Sequence, residues 1–274
     1  MWKIVEYCPH VVYNFFRGDT MNNDLKLKQS NNLILATHKM SINQMRLFFY
    51  ACSQYNGNLD IEISLSDINR VLTENTGNRG GNQRERIKET IPTLMRNAIV
   101  HIEDENGEEW CSALRKSRLN KDDTVVFTFD KSIQKELEEL RGYTWMYLSQ
   151  LTGMTSTYSV RLYEFFAMRL GTEHRSEKFD FDLNKLRLYL DCTKKYKDFR
   201  DFNKRVLVLA EKEINEKSNI HMSYKKVKTG RSITSILFTF KWKNKAEAIT
   251  VNCKENELSE TEQMNLDDFL KEFE

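Results

Sequence analysis

The spacing of apolar residues passes twice through one order of elements, and that repetition limits the possible folds. In the first pass Ser41 is a good N-cap. It precedes a helix with Met45, Leu47, Phe48, Phe49 and Cys52 at mostly helical spacing. Residues 59–66 alternate apolar and polar as a half-buried strand does. Ser66 is then expected to cap a short helix, and the glycine-rich stretch 73–81 to break it. A longer helix is expected over 82–97, with Ile87, Ile91, Leu94 and Met95 on one side. Pro92 falls inside it, and a mid-helix proline costs about 3 kcal/mol, so a kink or a split near Thr90 is expected. Asn106-Gly107 marks a two-residue hairpin turn, and 125–130 reads as a further strand.

The second pass begins near Tyr143. Residues 144–154 and 156–170 read as two helices, the latter with Val160, Leu162, Tyr163, Phe165, Phe166 and Leu170 on a broad apolar face. A strand over 178–183 and a short helix over 184–190 follow. Residues 198–217 form a long amphipathic helix that turns Phe199, Phe202, Val206, Leu209, Ala210 and Ile214 inward. Two strands around Lys228-Thr229-Gly230-Arg231 close the series.

Helix, strand, short helix, long helix and hairpin is the order of a winged helix-turn-helix. The expected fold is therefore α+β, with two tandem winged-helix domains related by pseudo-two-fold symmetry. The 274 residues suit two ordinary domains. The expected divisions are an N-terminal extension over 1–32, a first winged helix over 33–130, a linker over 131–142, a second winged helix over 143–245 and an acidic tail over 246–274. Met21 leaves 1–20 as an optional leader.

Net charge is only +2, and its distribution is more informative. Between Lys197 and Lys245 stand 13 Lys and Arg against five acids, whereas 246–274 carries nine acids against two lysines. A basic folded segment beside an acidic tail points to a polyanionic partner. An α-helix fits the DNA major groove, and the start of a recognition helix is the part that reaches bases. Burying the apolar face of 198–217 leaves Lys197, Arg200, Lys204 and Arg205 outward. Lys225, Lys226, Lys228 and Arg231 crowd the wing, where cations suit phosphates and give affinity rather than specificity. A basic helix face by itself is ordinarily solvated surface; four cations around one tight turn repel one another unless an anion lies near. In the first half, Asn82, Gln83, Arg84 and Lys88 begin the long helix, and Arg115, Lys116, Arg118 and Lys121 follow the hairpin.

Enzymatic classes find little support. The five histidines are never spaced as His-x-His, no phosphate-binding GxxxxGK[ST] loop is present, and the glycines at 77, 80 and 81 lack its lysine. Five scattered cysteines form neither CxxC nor a zinc spacing, so reduced cytoplasmic thiols are expected, with no metal and no cofactor. No apolar run is long enough to span a membrane.

Residues 33–55, 158–166 (YSVRLYEFF), 202–215 (FNKRVLVLAEKEIN) and 223–240 resemble the RepB/RepE-like initiator Rep proteins of iteron plasmids. That resemblance implies two winged-helix domains that grip direct origin repeats as a monomer. It also implies dimers, formed largely through the first domain, that repress the initiator's own gene. Origin opening at an AT-rich region and recruitment of host initiator, helicase and other replication proteins are implied as well. Carried over, base contacts fall on Lys197, Arg200, Lys204 and Arg205, and backbone contacts on Lys225, Lys226, Lys228 and Arg231. The helix containing Tyr158 and Tyr163 is expected to be core, with Arg161 paired to an acid. The rival readings are a winged-helix transcriptional regulator without an initiating role, and a protein-binding module whose basic face meets an acidic partner. In the tail, Gln263, Leu266 and Phe269 loosely match sliding-clamp ligands, against the plainer reading of a solubilising segment.

Overall fold

The computed structural model describes residues 25–73, 83–104, 107–138, 142–171 and 176–243. Asn82, the 77–81 glycines, Asn106 and the acidic tail lie outside the described residues.

In the first half, α2 (Ile42–Ser53) leads to β2 (Asp60–Ser64), α3 (Leu65–Thr73) and α4 (Gln83–Asn97). The Ser41 amide donates to Gln44 Oε1 at 2.8 Å, half of the capping box that starts α2. The cap of α3 is Ser64 rather than Ser66, because its hydroxyl accepts from the Asp67 amide at 3.1 Å. α4 runs through Pro92 without a split. Its Ile87, Ile91 and Leu94 are buried, and that packing outweighs the lost backbone bond.

Four strands follow instead of the three expected: β3 (Ile99–Asp104), β4 (Gly107–Ser112), β5 (Leu114–Leu119) and β6 (Thr124–Phe129). β3 and β4 pair with each other in a two-stranded sheet, and His101 of β3 also bridges Thr37, whereas β5 and β6 join β2 in an antiparallel sheet of order β2-β6-β5. In the second half β8 (Glu177–Asp182), β9 (Ile220–Thr229) and β10 (Ser232–Trp242) form a sheet of order β8-β10-β9. The two sheets correspond strand for strand. The wing of the first half is thus the β5–β6 hairpin, and β3–β4 is an inserted one.

Three further expectations are corrected. Residues 131–138 are not a linker but helix α5 (Lys131–Glu138), with Ile133 and Leu137 buried. Residues 143–147 are not helical. They form β7 (Tyr143–Tyr147), which pairs antiparallel with β1 (Lys26–Ser30). Alternation decides the outcome: Thr144 and Met146 are buried while Tyr143, Trp145 and Tyr147 face the other side. β1 and α1 (Asn31–Leu35) in turn make 26–32 part of the fold rather than an extension.

Helix α6 (Leu148–Gly153) precedes α7 (Thr157–Leu170), the YSVRLYEFF helix. α7 is buried on nearly all sides from Ser159 to Ala167, as a central helix must be. It packs on β9, β10 and α10 (Val208–Lys217) on one side, and on α1 and β7 on the other. Phe166 stacks on Phe240 with ring centroids 4.3 Å apart, and Phe165 meets Phe179, Phe181 and Tyr189. The fully buried Phe165, Phe166 and Phe240 rings each contribute roughly 1.5–3 kcal/mol.

Candidate nucleic-acid interface

The long helix of the second half is built in three continuous pieces: α9 (Phe199–Phe202), a π-helical turn over Asn203–Leu207, and α10. Asp198 caps its start, accepting from the Arg200 amide at 2.7 Å. Phe202, Val206, Leu207, Ala210 and Ile214 are buried. Leu209, expected inward, is only half-buried, and Leu207 takes the core position. Single π turns mark functional stretches of helices with some frequency. Here the turn carries Lys204 and Arg205, and both are exposed. Lys197 and Arg200 are exposed as well, so all four expected base-reading cations share the free side of the helix start.

The wing stands beside this helix. β9 and β10 pair from Ile220 opposite Trp242 to Thr229 opposite Ser232, around Gly230, whose φ of +63° suits a residue without a Cβ. Inner residues Ile220 and Met222 anchor the base of the hairpin; toward its tip both faces emerge, so Lys225 and Lys226 are exposed together. Alternation divides the three cations of β9. Tyr224, Lys226 and Lys228 face the helix side, and Lys225 the opposite side. The Tyr224 hydroxyl donates to Asn203 Oδ1 at 2.9 Å, and Lys226 Nζ lies 5.3 Å from the centroid of the Phe199 ring. Burial pushes the Tyr224 hydroxyl up, so it remains a neutral donor. Helix and wing are therefore joined into one surface, with Arg231 exposed at the tip.

The first half repeats the arrangement with different commitments. Arg115, Lys116 and Arg118 follow the β3–β4 hairpin, as expected, and lie exposed on wing strand β5, with Lys121 at its turn. Arg84, expected at the DNA face, pairs with Asp123 and donates from Nη2 to the Asn120 carbonyl at 2.9 Å. It ties the start of α4 to the wing turn, as Tyr224 ties the other pair. Lys88 is exposed and ion-paired with Glu85 at 2.6 Å. Asn82 and the Gln83 side chain fall outside the described residues.

Two winged helices with basic wings agree with the family models. The model described as "Initiator Replication protein, WH1" matches residues 26–167, and "Initiator Rep protein, WH2" matches 182–240. The chain belongs to the initiator replication protein family. This initiator resembles the Pi initiator protein, solved in complex with iteron DNA, at 17% identity and a TM-score of 0.67. The match covers 81% of the initiator and 99% of the Pi chain. Domains 2 and 3 of RctB are similar at 14% identity and a TM-score of 0.47, over 74% of this chain and 81% of that one. No curated protein matches it.

The initiator also contains a positioning residue that the sequence did not flag. Arg187, on α8 (Leu183–Tyr189), donates to the carbonyls of Lys195 and Tyr196 at 3.0 and 2.9 Å and stacks 4.3 Å over Phe202. It fixes the turn that delivers Lys197 to the helix start, a turn in which Tyr196 adopts a φ of +52°. A lone arginine in a short amphipathic helix carries no signal of that task, because its partners are defined only by the folded turn. Among the described residues no helix is long and apolar enough to cross a membrane.

Proposed function

We propose that this replication initiator binds double-stranded DNA at direct repeats in its origin, reading bases with α9 and the π turn and holding phosphates with both wings. One observation carries this reading: in each half a wing edged with exposed cations is fastened to the start of a long helix, by Tyr224 to Asn203 and by Arg84 to Asp123. A joined helix and wing present one preorganised cationic surface, which lowers the ordering cost of gripping a duplex. The Pi initiator protein, similar in fold, was solved on iteron DNA. Binding distorts the duplex and opens an AT-rich region without catalysis by the chain. Host replication proteins are then recruited, a host initiator, a helicase and a sliding clamp among them. The setting is a plasmid in the cytoplasm of its host, and a dimer formed through the first domain represses the initiator's own gene.

The test is an electrophoretic titration of a fragment carrying the repeats beside the gene, at about 150 mM salt with excess unrelated duplex. A ladder of complexes that counts the repeats is expected. Arg200→Ala should lose discrimination between sites. No preference over competitor would move the protein-partner reading to the front. Binding to the gene's own promoter without binding to the repeats would favour a transcriptional regulator.

A further inference from the structure

The outer face of the reading helix has an apolar residue at its centre. Val208 is 46% exposed, among the highest of the large apolar side chains described. Around it on that face stand exposed Asp201, Lys204, Arg205 and Lys212. Its amide closes the π turn by donating to the Asn203 carbonyl, and the Asn203 side chain is the one held by Tyr224 of the wing. Its position is therefore set by both the helix and the wing.

Valine is a costly choice at such a site unless something covers it. A β-branched residue lowers helix propensity relative to lysine or alanine, and here it buries little within the chain. It also has one strongly preferred rotamer in a helix, so its two methyl groups form a fixed apolar knob. In the major groove one base edge offers an apolar counterpart: thymine, through its C5-methyl group. The charged heads of the flanking cations address phosphates or the acceptors of guanine, which leaves the methyl group to an apolar side chain.

Resting on the DNA-binding reading above, we propose that Val208 is a specificity-determining residue that packs against the C5-methyl group of one thymine in each repeat.

The experiment uses the full chain and a duplex carrying one repeat. Thymines are replaced one at a time by deoxyuridine, which keeps base pairing and removes only the methyl group. Wild type should lose about fourfold in affinity at one position, the worth of roughly one buried methylene. Val208→Ala should bind the thymine and uracil forms of that position equally, with an unfolding midpoint no lower than that of wild type. Wild type that is indifferent to every replacement overturns the inference, as does a sensitivity that survives in Val208→Ala. Failure of wild type to prefer the all-thymine repeat over unrelated duplex is a separate result, and it would bring down the DNA-binding reading itself.

Discussion

The Arg161 guanidinium lies 4.3 Å over the Tyr189 ring, and both side chains converge on the Ile34 carbonyl. Arg161 donates to Ile34 at 2.9 Å and to Ala36 at 2.7 Å, while the Tyr189 hydroxyl reaches the Ile34 and Arg161 carbonyls at 3.3 and 3.0 Å. The end of α1 is thus fastened to α7 and to α8 of the second winged helix. Tyr189→Phe keeps the stacking and removes only the hydroxyl. It should cost about 1 kcal/mol in urea unfolding with an unchanged m-value. A neutral result would show that the shared carbonyl holds nothing.

Arg187 acts on DNA through the turn it supports. Arg187→Ala frees the Lys195 and Tyr196 carbonyls and uncovers Phe202. Specific binding should fall about tenfold or more while non-specific binding, set by the cations themselves, changes little. Competition with matched and unrelated duplexes separates the two. An equal loss on both duplexes would make Arg187 a phosphate contact instead.

The wing cations should act through salt. Each phosphate contact contributes close to one unit to the slope of log affinity against log salt. Lys226→Ala and Lys228→Ala, on the helix-facing side, are each expected to lower the slope by about one. Lys225→Ala, on the opposite side, should lower it less. Titrations between about 50 and 200 mM salt will show whether the alternation of β9 governs the contacts.

Glu164 makes stability depend on pH near neutrality. Burial pushes its carboxyl up to about 7, against the opposing pull of Arg161. A folded value above the ordinary 4.5 favours the protonated carboxyl in the folded chain. That stabilisation is full below 4.5 and is lost as pH rises toward about 7. Glu164→Gln stays neutral, so it should be more stable than wild type at pH 8, by on the order of 2 kcal/mol, and similar at pH 4.5. Melting temperatures at the two pH values decide it.

Glu213 has the opposite sign. Burial alone would raise its carboxyl, but bonds from the Thr155 hydroxyl and from the Thr155 and Ser156 amides outweigh it and hold the group below its usual range. Its stabilisation is therefore present above 4.5 and lost as pH falls below that value. Glu213→Gln should destabilise by about 2 kcal/mol at pH 7 and flatten the acid limb of the stability profile. An unchanged acid limb would show that the carboxylate is not the group being titrated.

The second winged helix was the more legible half, since its signals are contiguous. The apolar stripe of 198–217 lies on one continuous helix and the cations of 225–231 around one hairpin turn, so periodicity placed Phe202, Val206, Ala210 and Ile214 inward, and missed only where the π turn puts Leu207 in the core and leaves Leu209 half-buried. The first wing was hidden because LRKSRL has apolar residues only at its ends and becomes a strand by pairing with β6. The inserted β3–β4 hairpin, with its strong Asn-Gly signal, stood in its place. β7 reads as helix in the sequence because TWMYL gives little periodic information until β1, more than a hundred residues earlier, pairs with it.

By itself, the sequence determined which residues had to leave water and which cations had to stay in it. That was enough to give two winged helices and the cationic face of the second, because both follow from periods of 2 and 3.6 within single elements. Tertiary structure alone decided which strands pair. It decided that Arg84 serves the wing turn, and that Arg187 holds the turn before the reading helix. It also decided that Val208 stands bare among cations. Hydrogen bonds to distant carbonyls and carboxylates have no local spacing to betray them, so those roles exist only once the chain has folded.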